Sequence, residues 1–257
     1  MPIDLDIRAN VAILTLNRPE ALNAMSPEML EDLDARLEEI GADPTVRSAV
    51  LTGAGEKAFC AGADVRQLQS ASAIEARAYA HRGQEVTRRI ESFEKPILAA
   101  VNGLALGGGC ELALACDFRV AAEEAAFGQP EVKLGILPGW GGTQRLARIT
   151  SPGFAKEMIL TGRPVDAQVA LRVGLANHVY PQAELLEQAL KLAGAIAAGP
   201  TWAISAAKSL CNLALQGDLD GNLDREADVF GLAFTTSDQQ EGVAAFLEKR
   251  PAQFAGH

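Results

Sequence analysis

The sequence predicts an α/β fold with a helical C-terminal region, on three observations. Short apolar runs alternate with segments of helical period as far as about residue 180. From about residue 183 the strand-like runs stop and only helical periods continue. No stretch rich in proline or serine separates the two parts, so residues 181–257 read as a helical appendage on a core of residues 1–180.

The elements follow in order. Val11-Ala12-Ile13-Leu14-Thr15-Leu16 is a β-type run closed by the turn signal Asn17-Arg18-Pro19. Ser26 and Pro27 suit the N-cap and first position of a helix. Met29, Leu30, Leu33, Leu37 and Ile40 recur at its period, and Gly41 stops it. Residues 46–52 form the next strand, ending at Gly53-Ala54-Gly55, and 73–92 a second amphipathic helix. After Lys95-Pro96, residues 97–101 are apolar at every position, the pattern of a strand buried on both faces. Asn102-Gly103 turns the chain, and Gly107-Gly108-Gly109 leads into a helix of small residues over 110–116. Residues 117–122 suit a further strand, and 183–198, 201–216, 222–235 and a segment from about Gln239 suit helices.

The 257 residues are ample for one core. Hydrophobic residues at 48% and charged ones at 22% exclude disorder and collagen-like order. A net charge of −10 provides no global field for nucleic acid or anionic lipid, so an anionic ligand has to be held locally. No membrane-length apolar run and no basic leader followed by an apolar stretch is present, and the expected location is cytoplasmic. Cys60, Cys110, Cys116 and Cys211 show no CxxC spacing and read as free thiols, mostly buried, in a reducing compartment. His81, His178 and His257 pair with nothing at a metal-ligand spacing, so no metal is expected.

Glycine is the unusual component, with 24 residues, and its placement carries information. One glycine-containing segment is 58–64, with Gly62; another is 102–112. Neither has the GxGxxG spacing of a dinucleotide site, and no Lys-Ser/Thr follows as in a P-loop. A triple glycine opening a helix leaves N–H groups free at the positive end of the helix dipole. Two such groups from different segments make an oxyanion hole. On spacing alone the same glycines more readily describe a tight strand-to-helix packing contact that needs small residues. Glu111 follows the run directly, and Glu131 stands twenty residues later among apolar neighbours. A carboxylate so placed is costly unless paired or functional. Two converging on one pocket are pushed apart in pKa, giving an acid and a base. Each alone reads as a surface residue.

These segments carry a resemblance to the enoyl-CoA hydratase/isomerase (crotonase) superfamily over essentially the whole chain. The carriers are residues 17–25 (NRPEALNAM), 57–64 (KAFCAGAD), 95–117, 127–146 and 241–250. The resemblance implies a spiral of ββα units with two near-perpendicular sheets. It also implies a C-terminal helical trimerisation region and a homotrimer or dimer of trimers. The implied substrate is an acyl-CoA thioester, with no separate cofactor.

On the matching positions, the N–H groups of Ala63 and Gly108 form the oxyanion hole, and Glu111 and Glu131 are catalytic. Both glutamates are present, which points to reversible syn hydration of a trans-2-enoyl-CoA to a 3-hydroxyacyl-CoA, as in fatty-acid β-oxidation. A Δ3-Δ2 enoyl-CoA isomerase, or a hydratase for branched or cyclic enoyl-CoA, is the alternative. Ala61 and Asp64 flank the oxyanion residue, and Gly139 is placed to hold the water through its backbone. Lys57 and Arg66 match positions near the CoA phosphates and adenine, with Arg18 a weaker candidate. Lys249 resembles a residue that reaches CoA near a subunit boundary. Trp140 stands where a small residue is common, so it either narrows the acyl pocket or packs. A basic RNA-binding helix is not expected, because residues 27–40 carry Glu28, Glu31, Asp32, Asp34 and Glu38.

Overall fold

The computed structural model describes residues 2–214 and 216–256, without the side chains of residues 67 and 68; His257 lies outside the described residues. The chain opens with β1 (Ile3–Arg8), β2 (Val11–Leu16) and α1 (Pro27–Ala42). Three units then follow in which a long strand hands over to a short one and then to a helix. They are β3 (Ser48–Gly53), β4 (Ala58–Cys60) and α2 (Ala73–Glu91); β5 (Ile97–Val101), β6 (Leu104–Leu106) and α3 (Gly108–Ala115); and β7 (Phe118–Ala122), β8 (Ala126–Gly128) and α4 (Gly142–Ile149). Next come α5 (Pro152–Thr161), β9 (Val165–Asp166), α6 (Ala167–Arg172) and β10 (His178–Tyr180). Four helices close the chain: α7 (Leu185–Ala197), α8 (Thr201–Leu213), α9 (Leu219–Ala233) and α10 (Ser237–Glu248).

The long strands form a six-stranded sheet in the order β1-β2-β3-β5-β7-β10, parallel except for the β1–β2 hairpin. The short strands form a second sheet, β4-β6-β8-β9, parallel except for β8–β9. Every ββα unit therefore crosses from one sheet to the other before its helix, and the spiral repeats in structure although the sequence does not. Each crossing leaves the end of a short strand, and the helix start that follows, at one edge of the small sheet. The candidate site lies along that edge.

Local chemistry explains the elements that frame it. Ser26 Oγ accepts from Met29 N at 3.3 Å, a cap typically worth about 1 kcal/mol. Behind it the five apolar residues of the α1 stripe are buried. All five residues of β5 are buried, as its uniform apolar run predicts, because α7 covers one side of the large sheet. The sequence reading did not find β4, β6, β8, β9 and β10, since strands of two or three residues carry too few positions for a period. It likewise passed over β1 and α4 to α6. The residue 117–122 strand begins one residue later, because Asp117 instead caps the neighbouring strand, accepting from Ile97 N at 2.7 Å.

Cys60, Cys110 and Cys116 are buried, and burial pushes each thiol up to about 12; Cys211 is exposed. α8 is fastened to the body by Ser205 Oγ to Glu94 O (2.7 Å) and by Lys208 to Asp117 (2.9 Å). α9 and α10, by contrast, present Leu219, Phe230, Phe234, Phe246 and Leu247 to solvent, each more than half exposed. Among the described residues no helix is long and apolar enough to cross a membrane.

Candidate active site

The first glycine-containing segment is positioned by the residues at 17–25. A 3-10 turn at Pro19–Ala21 ends in Leu22 and Asn23, both left-handed at φ +52° and +56°. Asparagine is one of the few residues besides glycine that take this conformation readily, and the buried Asn23 side chain fixes it there. It accepts from Arg18 N (3.0 Å) and donates to Ala54 O (3.0 Å) and Ala58 O (2.8 Å). The chain then runs beside 61–64: Ala61 N donates to Leu22 O (3.0 Å), Met25 N to Gly62 O (2.8 Å) and Asp64 N to Met25 O (2.9 Å). These bonds use the N–H groups on either side of the Gly62-Ala63 pair. The Ala63 N–H is left without a partner among the described residues.

The second donor comes from α3. Gly107 has φ +52° and donates to Gly128 O at 2.8 Å, which docks the helix start on β8. Gly108 opens the helix, so its N–H has no intrahelical acceptor and meets none elsewhere among the described residues. A Cβ on Gly109 would lie 2.0 Å from Cys60 O, and one on Gly108 would lie 2.6 Å from the Trp140 ring. The glycine run therefore does two things. Gly109 serves close packing, while Gly108 combines packing with a free donor.

Glu111, on the first turn of α3, is 2% exposed, and its Oε1 accepts from both Trp140 N and Gly142 N at 2.7 Å. Burial raises its pKa, and the Gly142 and Trp140 N–H groups and the Arg145 charge act against that rise. Gly141, left-handed at φ +117°, shapes the turn that aims both N–H groups at one oxygen. Glu131 begins a 3-10 turn at Glu131–Leu134 and is partly buried. Burial, reinforced by the Glu111 charge, pushes it up to about 7. Gln129 is fully buried, and its amide turns so that Nε2 donates to Glu131 Oε1 (2.9 Å) and Oε2 (3.2 Å).

The two carboxylates and the two free N–H groups line one cavity of about 680 Å3, with Ala61, Gly139 and Trp140 also in its wall. Its remaining wall is mainly apolar, including Tyr79, Ile136 and Leu137. Trp140 is 3% exposed and packs against Gly83 of α2, where a Cβ would come within 2.1 Å of the indole nitrogen. The ring thus packs and bounds the cavity at once.

Other expected residues lie further off. Asp64 caps the 3-10 turn at Val65–Leu68 and pairs with Arg66, whose side chain is 75% exposed. Lys57 is exposed beside β4, and Arg18 binds Ala24 O (3.0 Å) within its own turn. Lys249 is the left-handed C-cap of α10 and does not line this cavity. The sequence reading missed Gln129, Asn23 and Gly83. Only Asn23, a turn-forming residue type between the Asn17-Arg18-Pro19 turn and the Ser26-Pro27 helix start, carries a local signal.

With this geometry in hand, the comparisons are consistent. The enoyl-CoA hydratase/isomerase family model matches residues 6–257. A crotonyl-CoA hydratase of Syntrophomonas wolfei is 48% identical over 252 residues, covering 98% of this chain and 97% of its own length. A short-chain-enoyl-CoA hydratase of Clostridium acetobutylicum is 46% identical over 246 residues, 96% of this chain and 94% of its own. The crystal structure of an enoyl-CoA hydratase from Bacillus anthracis matches with a TM-score of 0.96 at 40% identity and covers 100% of both chains. The chain belongs to the enoyl-CoA hydratase/isomerase family.

Proposed function

We propose that the protein adds water reversibly across the double bond of a trans-2-enoyl-CoA, giving a 3-hydroxyacyl-CoA. The observation that carries this reading is the convergence of two carboxylates and two N–H groups, unpartnered among the described residues, on one largely apolar cavity. The thioester oxygen rests between Ala63 N–H and Gly108 N–H. Enolate-like charge grows on that oxygen as water attacks C3, so donors already fixed in place favour the transition state over the ground state. Each such donor is typically worth about 3–4 kcal/mol.

Glu111 takes the proton from the attacking water, through the carboxylate oxygen that Trp140 and Gly142 leave unbound. The Gly139 carbonyl is occupied by Gln84 Nε2 at 2.8 Å, and its N–H has no partner among the described residues and supports the water. Glu131, protonated, delivers a proton to C2 from the same side. In the reverse direction the roles exchange. Two carboxylates in different environments favour hydration over isomerisation, which needs only one proton carrier. The relatives described as crotonyl-CoA and short-chain-enoyl-CoA hydratases support a short acyl chain.

Lys57, Arg66 and Lys249 hold the anionic end of coenzyme A from the protein surface. The exposed apolar faces of α9 and α10 support assembly into a homotrimer or a dimer of trimers, with residues 181–257 as the assembling region. The deciding assay follows the enoyl absorbance of crotonyl-CoA. Its loss on adding enzyme is expected, with 3-hydroxybutyryl-CoA as product; a constant absorbance, with conversion of a 3-enoyl-CoA instead, would overturn the reading in favour of an isomerase.

A further inference from the structure

Trp140 also borders a second cavity, of about 430 Å3, between α2, α3, α4 and α8. Its charged lining consists of Arg88, Arg119, Arg145 and Arg148 against Glu91 and Asp117. Both carboxylates are already taken. Arg145 grips Glu91 through Nη2 (2.9 Å) and Nε (3.3 Å), and Lys208 holds Asp117 at 2.9 Å.

The other three arginines form no ion pair among the described residues. Arg119 is 4% exposed, and its hydrogen bonds go only to carbonyls: Leu175 O (2.7 Å), Cys116 O (3.0 Å) and Ala113 O (3.3 Å). Arg88 and Arg148 are exposed and reach only the amide oxygens of Gln84 (3.4 Å) and Gln144 (3.5 Å). Burial disfavours the charged Arg119 guanidinium, and the nearby Asp117 charge that offsets this is already held by Lys208.

We propose that this cavity is a binding site for a small anion, a carboxylate or a phosphate. Guanidinium groups recognise both through paired, charge-assisted hydrogen bonds. The buried Arg119 takes the anion from within, and the exposed Arg88 and Arg148 close on it from the solvent side. Arg145 remains with Glu91, and it also donates to Trp140 O at 3.0 Å. Since the Trp140 N–H holds Glu111, the anion site backs onto the catalytic carboxylate. The inference stands independently of the hydratase reading, because it requires only the arginines and the cavity.

The test is thermal unfolding of the full chain with inorganic phosphate, and separately with succinate, each titrated against sodium chloride at constant ionic strength. A ligand that binds the native state alone raises Tm with the logarithm of its concentration above Kd. At least one of the two anions is expected to raise Tm with a defined midpoint, and the better one identifies the class. Arg88→Ala/Arg148→Ala changes exposed positions only, and is expected to move that midpoint about tenfold or more, the loss that removing charge-assisted contacts brings. No specific rise with either anion, or the same rise in the double variant, would overturn the proposal. Sedimentation of the double variant without added anion is expected to match the parent. A smaller particle would assign the arginines to a contact between copies of this chain and would equally overturn it.

Discussion

The carboxylate on α3 is gripped by main chain, whereas the one on the 131–134 turn is held by a side-chain amide. Two peptide N–H groups, from Trp140 and Gly142, aim at one oxygen of Glu111. Such groups can only donate and cannot turn away, so they favour the carboxylate over the acid and oppose the rise that burial brings. Gln129, the partner of Glu131, carries both a donor and an acceptor on one rotatable group. It can face a carboxylate with its NH2 or a neutral acid with its oxygen. The contrast teaches that residue type does not set the role of a catalytic acid. Its partners do, and here fixed donors hold one carboxyl while the other faces a group that can follow its proton.

The largest effect is expected when each carboxylate is neutralised in turn. Glu111→Gln and Glu131→Gln are each expected to lower kcat for crotonyl-CoA by about 10²–10⁴, the usual worth of general acid–base catalysis. Binding of an unreactive CoA ester should remain near that of the parent. Near-normal turnover in either variant would remove that carboxylate from the mechanism.

A second test strikes where the two regions meet. Gly142 donates to Glu111, and a Cβ there would come within 2.7 Å of the Gln129 amide, so Gly142→Ala disturbs both. It is expected to destabilise by about 1–3 kcal/mol, as overpacking generally does, measured by urea unfolding. A loss of kcat larger than that seen for alanine at the unobstructed Gly153 should accompany it.

Protonation sharpens the contrast further. Burial pushes Glu131 up to about 7 in the folded protein from an ordinary 4.5, and the proposed hydration step needs it protonated. The hydration rate should therefore fall as pH rises through about 7. Stability follows the same sign, because the folded state binds more protons between those two values, so this group's contribution declines as pH rises through that window. Glu131→Gln should gain in Tm over the parent as pH is raised from 5 to 8, and a gain that shrinks over that range would contradict the assignment. The smallest effect is expected at the surface. Lys57→Ala should raise KM for the CoA ester by the equivalent of up to about 1 kcal/mol and reduce its salt dependence, leaving kcat unchanged.

Much of this contrast was legible in the residues. The α1 stripe, the uniformly apolar β5 and the glycine-opened α3 follow from period and composition, because each is long enough or unusual enough to stand out. Glu111 and Glu131 stood out through their neighbours in sequence. The grip on each did not, since Gly142 and Trp140 lie about thirty residues from Glu111 and meet it only when α4 docks on α3. The small sheet was hidden for another reason. Its strands of two or three residues are ordered by pairing across the spiral, as in Leu104 opposite Ala126, and have no pattern of their own. In the sequence Gly83 reads as one more helix position, because the Trp140 ring that fills the space of its missing side chain lies far along the chain.

The four cysteines also make the chain its own reporter. A thiol alkylates through its thiolate, and burial leaves Cys60, Cys110 and Cys116 both protonated and out of reach at neutral pH. A maleimide dye should therefore attach once per native chain, at Cys211 on α8, and four times after unfolding in denaturant. Mass spectrometry of the adducts would then count folded molecules directly, and the single native label would sit in the lining of the arginine cavity.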